Sequence, residues 1–331
     1  MPPDAAVQRR GRRSGRAGSP FTGIGPVFMK ELSDHLSSMR MMVLTLFVII
    51  FGALPVGFAL QDLRNVVVSD PYLFLRIFTV APERVGLSFI DALNFIIPLM
   101  AIGLGFDAIN SEFNRRTLSR VLSQPLYRDA LLLGKFLGGL TTLAVALVAL
   151  WLIVLGVGLL LLGLPPRGVE VARGLGFLVV AIAYGGVWLA VAMLFSVMFR
   201  STATSALCSL GLWLFFLLLW PMIASAIIIG FTPSQVTSID QYVAIAELSQ
   251  ALERLSPNTL FREAVIGLLN PETRSLGFML PTQMRGAIPG APLPLDQSLV
   301  LIWPQVTGLV AGMIVLFTVA YIIFQRAEVR A

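Results

Sequence analysis

The chain has 331 residues, of which 56% are apolar and only 13% charged, with a formal net charge of +6 and a mean hydropathy of +0.85. Soluble domains carry about 25% charged residues, so an ordinary soluble globule is excluded and hydrocarbon must be the solvent for much of the chain. One cysteine, Cys208, and one histidine, His35, rule out a disulfide framework and any Cys/His set for zinc, haem or an iron–sulfur centre.

In chain order, residues 1–20 are poor in apolar side chains, and Arg9, Arg10, Arg12, Arg13 and Arg16 repel one another. This reads as a disordered basic cytoplasmic tail that fixes orientation, with lipid or nucleic-acid binding as the alternative. The other basic residues fall between apolar spans rather than along one face, which argues against nucleic acid. Residues 21–39 predict an amphipathic helix in the interface plane. Ile24, Phe28, Leu32, Leu36 and Met39 recur at spacings of three and four, opposite Lys30, Glu31, Asp34 and Ser37. His35 lies on this helix and reads as a surface residue.

Six stretches near the ~20 residues that cross a bilayer follow: Met41–Leu60, Leu87–Ile109, Phe136–Leu164, Gly174–Met198, Ala203–Phe231 and Leu299–Phe324. The first is too long for a cleaved signal and reads as a retained helix. The third and fifth exceed a minimal span, which predicts tilt or a kink; Pro55, Pro98 and Pro221 are the candidate kink points. Flanking Lys and Arg place both termini inside. Asp91 and Asp107, near span ends, read as reaching the headgroups, with a polar cavity as the alternative.

Two non-spanning segments lie outside on this topology, 61–86 and 232–298. In the second, a Ser238/Gln241 capping box opens a helix with Ile245, Leu248, Leu252 and Leu255 on one face. Ser256-Pro257-Asn258 stops it, and Thr259–Leu269 forms another. These helices are expected to cap the membrane domain at its outer surface; substrate binding is the alternative. Gly134-x-x-x-Gly138 and Gly308-x-x-x-Gly312 suit close helix approach, more within the chain than between copies.

The first inside loop, 110–130, is the most informative. Asp107, Asn110 and Glu112 precede Thr117-Leu118, Leu122-Ser123-Gln124-Pro125, Arg128 and Gly134-Lys135. It reads as a short polar helix at the membrane surface, closed by a proline and followed by a basic anchor, suited to docking another protein. Taken singly, its arginines are equally topology signals.

From residue 21 onward this pattern resembles the permeases of ATP-binding cassette (ABC) exporters of the ABC-2 type, and most of all the branch tied to multicopper-enzyme maturation. The resemblance implies a single all-α polytopic transmembrane domain over 21–331. It comprises an N-terminal interfacial elbow helix (21–39), six transmembrane helices, and helices in the last outer loop. It also implies that loop 110–130 couples to a separate ATPase subunit, with Glu112, Thr117, Leu118, Pro125 and Arg128 at or beside the contact. The turn Ser196–Ser201, with Arg200, corresponds to the shorter second coupling turn. By the same resemblance, ATP and Mg belong to the ATPase and no cofactor to this chain. A second permease copy, as a homodimer, completes the pathway in a bacterial-type cell membrane.

No Gly-x-x-x-x-Gly-Lys-Ser/Thr occurs, since Gly134-Lys135 runs into Phe136. No catalytic set for hydrolysis is visible, so the chain reads as a non-enzyme. A secondary transporter, which needs broken spans and paired midplane charges, and a membrane assembly scaffold without transport are the alternatives.

Overall fold

Backbone in hydrocarbon must close its own hydrogen bonds, and each of the six apolar stretches does so as a helix. The computed structural model describes residues 23–63, 72–114, 128–163, 165–232, 238–277 and 292–326; among these there are helices and no strand. In chain order they are α1 (Ile24–Ser37), α2 (Met39–Leu63), α3 (Leu73–Thr79), α4 (Phe89–Gly105), α5 (Asn110–Asn114) and α6 (Arg128–Leu162). Then come α7 (Gly168–Met198), α8 (Thr202–Leu214), a π turn at Phe215–Leu219, α9 (Trp220–Phe231), α10 (Ile239–Glu253), α11 (Pro257–Leu269) and α12 (Leu295–Arg326). Six helices are long and apolar enough to cross a membrane: α2, α4 continued through α5, α6, α7, α8 continued through α9, and α12. The protein is therefore an all-α, multi-pass membrane protein, as the apolar runs predict.

α7 is the centre of the bundle. In its most apolar stretch 83% of residues are buried, against 11% for the fifth and sixth spans, which leave most of their flanks open. It packs against α4, α6, α11 and α12. Both ends of the described chain, α1 and the close of α12, lie at one end of the bundle, where Tyr321 bonds Asp129 at the start of α6. This end is called basal below and the opposite end distal.

At Pro98 the fold supplies the missing partner, and at Pro221 the helix changes its own winding. Pro98 in α4 has no N–H for the carbonyl of Asn94, one turn earlier. The Tyr184 hydroxyl of α7 lies 3.0 Å from that carbonyl oxygen and 2.8 Å from Asn258 Oδ1. Pro221 similarly frees the Leu217 carbonyl, and the fifth span widens into a π turn just before it, with Trp220 N–H donating to the Phe215 carbonyl.

The small residues at Gly134 and Gly138 are used within the chain. A Cβ at Gly134 would stand 2.7 Å from Val27 Cγ1, and one at Gly138 2.9 Å from Glu31 Cβ, so these glycines seat α1 against α6. Gly308 faces Leu260, whereas Gly312 has open space within 4 Å.

The second non-spanning segment departs from expectation. Ser238 caps α10 as predicted, accepting from Gln241 N–H. The pair α10–α11 does not lie over the ends of the spans, however; it dips between them as a re-entrant hairpin. Its turn brings Asn258 to Tyr184, and Phe261 stacks on the Tyr184 ring at 4.4 Å. Tyr184 stands about 24 Å from the distal end of α7 at 1.5 Å per residue. The Trp220 indole donates to the Leu252 carbonyl, fixing the descending arm to the fifth span.

The hairpin carries charge into the bundle: Arg254 Nε lies 2.8 Å from Glu263 Oε2, which also accepts from Gln305 Nε2 of α12. The distal root of the hairpin is held by Arg173, fully buried in α7. Its Nη1 donates to the Leu268 carbonyl at 2.6 Å and to Ser298 Oγ at 3.1 Å, and its Nη2 to the Leu293 carbonyl at 2.5 Å. Leu268 is in the last turn of α11, where the helix presents its negative end to the guanidinium.

Candidate functional site

At the basal end, α5 continues the second span after a turn at 106–109. Its position is set by the turn between α7 and α8. Ser196 Oγ accepts from Ile109 N–H at 2.9 Å and from Asn110 N–H at 3.2 Å, and Asn114 Nδ2 donates to the Arg200 carbonyl at 3.0 Å. The two basal turns, 87 residues apart in sequence, are thereby joined into one polar unit.

Lys135, about two turns into α6 and 7% exposed, is the hub of this unit. Its ammonium is 2.8 Å from Glu31 Oε1 of α1 and 2.8 Å from Glu112 Oε1 of α5. Lys30 also approaches Glu31, at 3.3 Å, and bonds Asp34 at 2.9 Å. Burial favours the neutral form of Glu31, but Lys135 and then Lys30 outweigh it and hold the carboxyl below its ordinary value. For Lys30, burial is opposed by Asp34 and Glu31, which together hold the ammonium above its ordinary value. Beside this cluster Arg40 forks onto Asp107 at 2.7 and 3.3 Å, and its guanidinium lies 5.3 Å from the centre of the Phe106 ring.

A cavity of about 630 Å³ separates α1 and the start of α2 from α4, α5, α6 and the basal end of α7. Lys30, Glu31, Asp34, His35, Arg40, Asp107, Glu112 and Lys135, with Ser38 and Ser111, contribute charge or polarity to its wall, and Leu104, Ala108, Leu189 and Met193 are its apolar residues. His35, expected at the surface, is half-buried here. Burial, with Arg40 and Lys135 adding to it against Glu31 and Asp107, lowers its imidazole below the ordinary value and keeps it neutral at pH 7. Asp107 also faces this cavity, while Asp91 closes the capping box of α4 with Ser88 and meets Arg262 at 3.4 Å.

The structure brings the α5 segment that carries Glu112 and the Arg200 turn together. One oxygen of Glu112 is turned inward onto Lys135, and Arg200 is exposed. Arg128 opens α6. Thr117, Leu118 and Pro125 lie outside the described residues. Glu31 and Asn114 were not legible as site residues, and Ser196 was legible only as the start of the second turn. Glu31 sits among polar residues of α1 in sequence, and only the seating of α1 on Gly134 and Gly138 turns it toward Lys135.

The sequence model described as "ABC-2 family transporter protein" matches residues 26–329. The chain is 35% identical over 207 residues to the probable ABC transporter permease protein NosY of Pseudomonas aeruginosa, a match covering 60% of this chain and 69% of that one. It is 31% identical over 204 residues to the probable ABC transporter permease protein NosY of Stutzerimonas stutzeri, covering 60% and 68%. With a family match over nearly its whole length, six spans and a basal unit assembled from its two turns, the chain belongs to the ABC-2 family of transporter proteins, as a membrane subunit whose family implies an ABC ATPase partner.

Proposed function

We propose that this chain is the permease of an ATP-driven exporter in a bacterial-type cell membrane, working as two copies with two ATPase subunits. The observation that carries the reading is the joining of the two basal turns. Asn114 and Ser196 tie α5 to the Arg200 turn, and Lys135 connects α5 to α1 and α6. A force applied to α5 is therefore delivered to four spans at once. Closure of the ATPase pair on ATP presses on residues 110–129 and on the Arg200 turn, tilts the spans and exchanges an inward-facing pathway for an outward-open one. The driving energy is the difference in ATPase affinity for those two states. On this reading ATP and Mg reside on the partner and the permease itself holds no cofactor.

Affinity purification of the tagged chain from membranes, with an ATPase assay of what accompanies it, tests the proposal. A stoichiometric ATPase is expected with the wild-type chain. Glu112→Arg sets a second cation against Lys135 and should lose the ATPase while the six-span core still elutes and melts as a folded protein. A wild-type chain that emerges folded and alone, and transports in ATP-free vesicles under an ion gradient, would establish a secondary transporter instead. One that binds an active ATPase but supports no transport would establish an assembly scaffold.

A further inference from the structure

The basal cavity has more structure than a docking surface for a protein requires. Its volume of about 630 Å³ is in the ~300–1,000 Å³ range of small-molecule sites. It lies at membrane-surface level. Arg40 is in the first turn of the first span, Asp107 follows the apolar run of the second, and both line the wall. The lining is amphiphilic, combining Leu104, Ala108, Leu189 and Met193 with charged groups of both signs. Next to the cavity, at the joint of α1 and α2, Leu36, Met39, Met42 and Val43 are 56–71% exposed. In a membrane this apolar surface meets acyl chains.

We propose that the cavity binds the headgroup of a phospholipid that carries both a primary ammonium and a phosphate, with its acyl chains lying along Met39, Met42 and Val43. The charges select this chemistry. Among the described residues the wall has three cations, Lys30, Arg40 and Lys135, against four carboxylates, Glu31, Asp34, Asp107 and Glu112. Among these groups one negative charge is in excess, which disfavours a purely anionic headgroup. Lys30 and Asp34 are joined by a single 2.9 Å contact and their side chains are 64% and 61% exposed; an ion pair this open is separated at little cost. The ligand ammonium then donates to Asp34 and to the acceptor nitrogen of the neutral His35 ring, while the phosphate takes Lys30 and the exposed edge of Arg40. A quaternary ammonium has no N–H to donate and loses those contacts. The buried Lys135 keeps both of its carboxylates and forms the back wall.

The test is lipid retention by the full chain. The protein is reconstituted in nanodiscs holding equal parts of phosphatidylethanolamine, phosphatidylcholine and phosphatidylglycerol with the same acyl chains. It is then released into mild detergent and weighed by native mass spectrometry. Phosphatidylethanolamine should be retained about tenfold over either competitor, the scale of one charge-assisted hydrogen bond. That preference should fall to near parity in Asp34→Asn and in Ser111→Trp, which fills the cavity. If Ser111→Trp fails to fold, the exposed Asp34→Asn carries the test alone. Equal retention of the three lipids by the wild type, a preference for phosphatidylglycerol, or an ethanolamine preference that persists in Asp34→Asn would each overturn the proposal.

Discussion

Lys135 holds two carboxylates from elements that are otherwise separate, and its burial makes it the most consequential single residue of the basal unit. Lys135→Met removes the cation that Glu31 and Glu112 share and leaves Glu31 with Lys30 at 3.3 Å. Breaking a buried pair from one side costs about 3–5 kcal/mol, so a clear drop in Tm is expected, with Glu31→Gln partly restoring it in the double variant. A pH titration of stability isolates Glu31. Its folded pKa is depressed below the ordinary 4.5, so its pairing stabilises the protein above that value and the contribution is lost as pH falls through the folded pKa. In Glu31→Gln the acid limb of the Tm–pH curve should flatten below about pH 4.5, and an unchanged limb would remove Glu31 from the account. In the middle of the bundle, Tyr184→Phe strips the hydroxyl that meets the Asn94 carbonyl and Asn258. Hydrogen bonds between membrane helices are worth about 0.6–1.7 kcal/mol, so a modest loss of stability read in a mild detergent is the expected result.

At the scale of elements, the two small-residue pairs separate by what lies opposite them. Gly134→Leu drives a side chain into Val27 and toward the Phe28 backbone N–H, 3.3 Å from where a Cβ would sit. α1 must then lift from α6 and carry Glu31 away from Lys135. Hydrogen exchange should report lost protection in α1 with α7 unaffected. Gly312→Ala enters open space and replaces the weaker helix former, so it should leave Tm unchanged or raise it. The spans were legible because a run of about 20 apolar residues has few other solutions, and the Ser238 cap was legible from local chemistry; Ser256-Pro257-Asn258, read as a stop with the next helix from Thr259, instead opens α11 at Pro257, where a proline suits the first turn. The depth of α10–α11 was not. Its amphipathic pattern fits the surface of a bundle as well as a groove within one, and the choice rests on Asn258, Phe261 and Arg173 meeting partners far away in sequence.

At the scale of the molecule, the hairpin's depth can be measured directly. With Cys208 replaced by alanine, a single cysteine at Ile239, at the distal start of α10, should react quickly with a membrane-impermeant maleimide in intact vesicles. One at Leu255, in the turn at the bottom of the hairpin, should react far more slowly even though the side chain is 62% exposed in the isolated chain. Equal rates would return these helices to the bundle's outer rim. Arg173→Met, which removes the guanidinium holding the distal root, should raise the Leu255 rate toward that of Ile239 if the hairpin is free to leave.

What the amino-acid order determined by itself is the solvent and the count. Low charge and six apolar runs oblige the chain to cross a membrane six times as helices, because an unbonded peptide group in hydrocarbon is too costly to leave. Tertiary structure alone decided which polar residues meet. Lys135 reaches Glu31 across 104 positions, Tyr184 closes the gap that Pro98 opens in another helix, and a loop carrying an Arg–Glu pair sinks among the spans. Each is a long-range pairing that satisfies a buried polar group. Local periodicity carries the demand for such a partner but not its address.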